Sequence, residues 1–150
     1  MPPAEDLTAR LHHWMALCAT LGVRARSLDA GNVTLLLDWR PDLCTRNDLL
    51  HGGVIMALAD SAGGACAMCN LPQGAGTATI ESKTNFIRAV TRGTLTAVAT
   101  PLHVGRTTIV VETVVRDEAG RLVAKVTQTQ AVLSRPDAAA RSLQPRQNIP

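Results

Sequence analysis

Apolar and polar residues alternate along this chain with two different periods, and each change of period marks an element. Over residues 4–20, Leu7, Leu11, Trp14, Leu17 and Cys18 recur at three- and four-residue spacing, which predicts an amphipathic helix ended by Gly22. His12 and His13 fall on its surface. Residues 23–28 and 32–39 read as two strands joined by a tight turn at Asp29, Ala30 and Gly31. Val33, Leu35 and Leu37 alternate along the second strand, and Pro41 closes it. Residues 42–50 mix charge, Cys and Asn and read as a loop.

Residues 52–70 return to the helical period. Val54, Ile55, Leu58, Ala62, Ala65, Cys66 and Cys69 form a wide apolar surface. Ala57, Ala59, Gly63, Gly64 and Ala67 keep the helix slim, so close neighbours are expected on most sides. Gly63-Gly64 would weaken an exposed helix and is tolerable where a sheet or a partner helix comes near. The run from Pro72 to Gly76 stops it. Four more strands follow, over residues 77–87, 93–104, 106–117 and 121–133. Ile109, Val111, Thr113 and Val115 share one face of the third. Val123, Lys125, Thr127, Thr129, Ala131 and Leu133 share one face of the last, which completes a meander through a turn at Gly120. Pro, Arg, Gln and Ala from Ser134 onward predict a poorly ordered tail over 135–150.

Neighbouring strands usually pair antiparallel. Six of them make a sheet with one face to bury, and the central helix is the element long and apolar enough to cover it. The expectation is an α+β fold, a long helix rolled into a six-stranded antiparallel sheet. An N-terminal helix over 1–20 precedes this domain, which spans 21–134.

Composition narrows the function. Aromatics are 2% of the chain, too few for a platform on which single-stranded nucleic acid could stack. No helix-turn-helix precedes the domain, so neither composition nor pattern supports a nucleic-acid partner. The net charge of +3 is scattered and reads as a solvated surface. Cys66 and Cys69 have C-x-x-C spacing, but no second ligand pair matches it, so no metal site is expected and both read as small buried hydrophobes. The N-terminus carries acids early and no apolar leader, and no apolar run approaches membrane-spanning length. A reduced, cytoplasmic protein with no membrane partner is the default.

One acid stands out. No Lys or Arg occurs between Arg46 and Lys83, yet Asp60 sits in the middle of the apolar helix. Such a carboxylate costs stability unless it is paired or has work to do. His51-Gly52-Gly53 opens the same helix, where unpaired amides point outward at the positive end of the dipole. Two glycines let a carbonyl approach that backbone. Amides that hold an oxyanion and a carboxylate raised toward a useful base are the two needs of hydrolysis. The two groups are nine residues apart, so they project to opposite sides of one helix, about 13 Å apart along it. If both act on one substrate, Asp60 comes from a partner chain, giving two shared sites per two-fold dimer.

The stretch His51-Gly-Gly-Val-Ile-Met-Ala-Leu-Ala-Asp60 resembles the HGG-x6-D motif of hotdog-fold thioesterases of the PaaI-like group. Glu81-Ser-Lys-Thr-Asn-Phe-Ile-Arg88 resembles the strand that follows the helix in that family. His103-Val-Gly-Arg106, the Val-rich strand after it and Arg116–Lys125 resemble the later strands. The resemblance covers roughly residues 43–133. It implies acyl-CoA thioester hydrolysis with no metal or organic cofactor, coenzyme A being part of the substrate. It also implies homodimers whose sheets join edge to edge, commonly paired into tetramers. Carried over, Asp60 is the base or nucleophile, the Gly52 amide polarises the carbonyl, His51 with Gly53 helps place the thioester, and Thr79 lies near a water-orienting hydroxyl. Relatives often carry Asn six residues before the His. Thr45 stands there in this chain, and Asn47 lies two residues on, so either could fill that role. Lys83, Arg88, Arg106 and Arg135 are candidate contacts for the phosphates of coenzyme A. A non-catalytic acyl-CoA binder on the same fold is the alternative reading, and it has no need of Asp60. A hotdog dehydratase would call for a different arrangement of His and acid.

Overall fold

A computed structural model describes residues 6–134. The expected tail over 135–150, and with it Arg135, lies outside the described residues. Asp6 caps the first helix by accepting from the Thr8 and Ala9 amides, and α1 runs Leu7–Trp14. The helix expected over 4–20 is two helices. Met15 is extended (φ −141°, ψ 93°), and α2 resumes at Ala16–Leu21 before Gly22 closes it at φ 75°. No Pro or Gly marks the break. The two pieces sink Leu11 and Cys18 completely, and His12 Nε2 lies 2.7 Å from the Val23 carbonyl.

Strands β1 (Arg24–Leu28) and β2 (Val33–Asp38) form the expected hairpin. After a loop with 3-10 turns at Pro41–Leu43 and Arg46–Asp48 comes α3, Gly52–Cys69. Then follow β3 (Gly76–Phe86), β4 (Thr94–Val104), β5 (Thr108–Arg116) and β6 (Leu122–Leu133). All six strands pair antiparallel in the order β1-β2-β4-β5-β6-β3. The last four strands are therefore not a simple meander. β3 crosses over to pair with β6 at the far edge, while β4 joins β2. The sheet curls about α3, which packs against every strand.

Ile55, Leu58, Ala62, Ala65 and Cys66 of α3 are buried against Leu35, Leu37, Leu95, Ala97, Ile109, Val111 and Val115 of the sheet. The predicted face of β5 is the core face. On β6 the core face is the other phase: Ala124, Val126, Gln128 and Gln130 point to the helix, and Lys125, Thr127 and Thr129 point away. By length and apolarity α3 could cross a membrane, contrary to the expectation that no run comes close. Its place inside the sheet accounts for that composition. Cys66 is buried and its thiol is pushed up to about 11 by loss of water, while Cys69 is partly covered. Leu58 is fully enclosed at the centre. Leu58→Ala is expected to cost about 2–5 kcal/mol, read as a lower urea midpoint.

Candidate active site

The entry to α3 is fixed by the loop before it. The Leu50 amide donates to the Val90 carbonyl and the His51 amide to the Leu43 carbonyl. Leu43 and Leu50 are buried, and Trp39 Nε1 donates to the Asp48 carbonyl at 3.0 Å. Between these anchors the chain turns sharply. Asn47 and Asp48 are both left-handed, at φ 60° and 56°. Asn and Asp are the residues other than Gly that adopt this conformation most readily.

The first four amides of α3 are nearly all spoken for. His51 Nδ1 accepts from the Gly53 amide at 2.8 Å. Val54 and Ile55 donate to the His51 carbonyl at 2.9 and 3.3 Å. Gly52 is left as the amide without an acceptor among the described residues. Accepting at Nδ1 requires His51 to carry its proton on Nε2, which leaves an N–H donor on an exposed ring beside that amide.

Phe86, near the end of β3, lies over Gly52. A Cβ placed on Gly52 would sit 3.3 Å from the ring. The two line a cavity of about 340 Å³ together with Thr45, Leu49, Leu50, Ile55, Ile87, Arg88 and Ala89. Of the two candidates for the family's Asn, Thr45 is in this wall and Asn47 is not. Arg88 shares the wall. Lys83 lies on the outer face of β3 opposite Thr127, and Arg106 lines a different hollow beside the turn that follows α3. A larger hollow, about 570 Å³, lies on the outer face of the sheet among Arg24, Arg26 and Arg116 and includes none of the helix-start groups.

Asp60 is elsewhere on α3. It is exposed in the single chain rather than buried, yet the surrounding protein strips enough water from its carboxyl to raise the pKa. Gln128 Nε2 donates to Asp60 Oδ1 and pulls partly the other way. Thr79 stands in the same cluster. Its hydroxyl accepts from Gln130 Nε2 at 2.8 Å and, more weakly, from Gln128 Nε2 at 3.4 Å. The structure thus groups Asp60 with Thr79, and His51, Gly52, Gly53, Thr45 and Arg88 around the helix start. It does not bring the two groups together within one chain.

The glutamines are the residues that sequence reasoning missed. A signal was present: two amides spaced i, i+2, in phase with Ala124 and Val126 on a strand.

Residues 47–124 match the model of the thioesterase superfamily, just over half of the chain. The chain belongs to that superfamily. Among curated relatives, ComA2 of Bacillus subtilis is 40% identical over 88 residues, covering 57% of this chain and 69% of its own. Among solved structures, a thioesterase family protein from Silicibacter pomeroyi superposes with a TM-score of 0.79 at 27% identity, over 87% of this chain and 98% of that one. A conserved protein from Pseudomonas aeruginosa does so at 0.76 and 32%, over 88% and 100%. The hotdog fold and a thioester-hydrolase activity follow for this member of the superfamily.

Proposed function

We propose that the chain hydrolyses acyl-CoA thioesters to a free acid and CoA, at sites shared between two copies. The observation that carries the reading is the Gly52 amide, without an acceptor among the described residues, at the mouth of an apolar cavity whose described lining holds no carboxylate. An oxyanion needs such a donor, aimed and waiting. The base comes from Asp60 of the partner. α3 leaves Gly53, Met56 and Asp60 uncovered on one side, and β3, paired with β6 on one side, is the edge strand of the sheet and carries exposed Ile80 and Phe86. A second copy laid along this side would cover both and bring its Asp60 toward the helix start.

In this mechanism Asp60 takes a proton from a water whose oxygen attacks the thioester carbon. The Gly52 N–H holds the carbonyl oxygen as it becomes an oxyanion. The His51 Nε2–H and the Thr45 hydroxyl orient the thioester, and the Thr79 hydroxyl helps hold the water. Collapse of the adduct breaks the C–S bond, and the departing thiolate takes up the proton that Asp60 drew from the water, which returns the carboxylate to its starting state. The steps use groups of two copies of the chain and one water. Arg88 is the first candidate for a contact with CoA, since it shares the cavity wall. The apolar lining of Leu49, Leu50, Ile55, Phe86 and Ile87 suits an acyl chain.

Thiol release from short, long and aromatic acyl-CoAs tests the activity. Saturable binding of every acyl-CoA without release would instead make the protein a binder. Mixing two disabled variants tests the sharing. Asp60→Asn and Gly52→Pro, reassorted at random, put one intact site in each mixed dimer. About a quarter of the wild-type rate is then expected to return. Sites confined to single chains would return none.

A further inference from the structure

Gln128 is oddly placed for a core residue. It is fully buried on the helix-facing side of β6, and its carboxamide lies against the α3 backbone at Gly63. A Cβ at position 63 would fall 1.8 Å from Gln128 Oε1, so no other residue at 63 leaves the amide where it is. That Oε1 is buried without a hydrogen-bond partner among the described residues, as is the Thr113 hydroxyl nearby. A buried polar atom left unpaired costs stability. What the arrangement secures is the other end of the amide, where Nε2 meets Asp60 Oδ1. Asp60, when ionised, only accepts, so the nitrogen must face it.

The amide is itself held. Thr79 Oγ1 accepts from both Gln128 and Gln130, and Gln130 Oε1 accepts from Thr77 at 3.0 Å. The register makes this possible. Thr79 pairs with Gln130 and Ser82 with Gln128, and the bulge at Ile80 restores the phase between them.

No charged side chain competes for Asp60 from the sheet. The helix-facing residues are Ala25 on β1, Val33, Leu35 and Leu37 on β2, and Leu95, Ala97 and Ala99 on β4. On β5 they are Ile109, Val111, Thr113 and Val115. Those of β3 and β6 are Thr, Ser, Phe, Ala, Val and Gln. Glu81, Lys83, Glu112 and Lys125 lie on the outer face, the last two paired at 3.0 Å. On α3 the other titratable groups are Cys66 and Cys69, and Arg10 of α1 acts at the Cys69 end. From α2, Cys18 meets Ser61.

We propose that Gln128, made possible by Gly63 and steadied by Thr79 and Gln130, is a positioning residue for Asp60. It pins one carboxylate oxygen so that the other is presented to the reacting water. This rests on the reading of Asp60 as the base.

The test is Gln128→Met, which keeps length and removes the donor, alongside Gly63→Ala, which leaves Gln128 in the sequence but displaces it. Each is expected to lower kcat about tenfold with KM within twofold of wild type. Each should also move the acid limb of kcat/KM to higher pH, because the donor that favours the carboxylate is gone. The double variant should be no worse than the single ones, since both remove one contact. If the variants melt lower but keep kcat and the acid limb, Gln128 is only a core residue and the proposal falls. If Asp60→Asn keeps full turnover, the reading of the base fails first, and that outcome is separate.

Discussion

Asp60→Asn is expected to lower kcat for thioester hydrolysis by about 10²–10⁴, the usual contribution of a positioned general base. The substitution is well suited to the site. Asn keeps an Oδ1 that can accept from Gln128 Nε2, so the contact that holds position 60 survives while the basicity does not. In the wild type, kcat/KM should fall as pH drops through the Asp60 pKa, which lies above the ordinary aspartate value because its carboxyl is partly desolvated. Stability runs the opposite way. A carboxyl with a raised pKa binds its proton more tightly in the folded chain than in the unfolded one. Its contribution is fully present below the unfolded value, about 3.9, and is lost as pH rises through the folded value. Asp60→Asn is therefore expected to melt no lower than wild type at pH 7, with any advantage vanishing below about pH 4. A thermal melt at both pH values, beside the thiol-release assay, checks the two claims. A variant that is inactive and also much less stable at pH 7 would mean that Asp60 is structural.

This opposition between stability and chemistry is what made Asp60 legible in the sequence. A single carboxylate in an uncharged apolar helix breaks the local pattern, and such breaks concentrate where function overrides packing. The helix was legible for the same reason: its apolar period runs from Val54 to Cys69 without a competing one. The strands showed through their alternation, most clearly in β5, where Ile109, Val111, Thr113 and Val115 all turn inward.

What could not be read was set by contacts distant in sequence. Both phases of β6 contain apolar residues, Val123, Ala131 and Leu133 in one, Ala124, Val126 and Val132 in the other. Alternation alone does not choose between them. Only the pairing with β3 and the clearance at Gly63 turn Gln128 and Gln130 inward. The crossover that puts β3 beside β6 is likewise a property of the closed sheet. Nearest-neighbour pairing argues against it. Gly63 and Gly64 looked alike in the sequence, yet they differ. One admits the Gln128 amide, and the other has nothing within 4 Å in the single chain.

The helix start offers a second large effect, and a cleaner one, because the group in question is backbone. Gly52→Pro deletes the helix-start amide that has no acceptor among the described residues while keeping the conformation. Position 52 is the first residue of the helix, where Pro is well tolerated because its missing N–H has no helical partner. His51, before it, is already extended (φ −64°, ψ 133°), the geometry a following Pro requires. The ring would crowd Phe86, whose Cζ is 3.3 Å from a Cβ at this position. Gly52→Ala crowds it in the same way but retains the N–H, so the comparison of the two isolates the donor. Gly52→Pro is expected to lose about 10²–10³ in kcat relative to Gly52→Ala, the cost of one oxyanion donor. KM should change little, because the oxyanion exists only in the transition state and a donor to it is not a ground-state contact. Equal rates for the two variants would move the oxyanion away from Gly52 and leave the His51 Nε2–H, a donor because Nδ1 accepts from Gly53, as the group to test next.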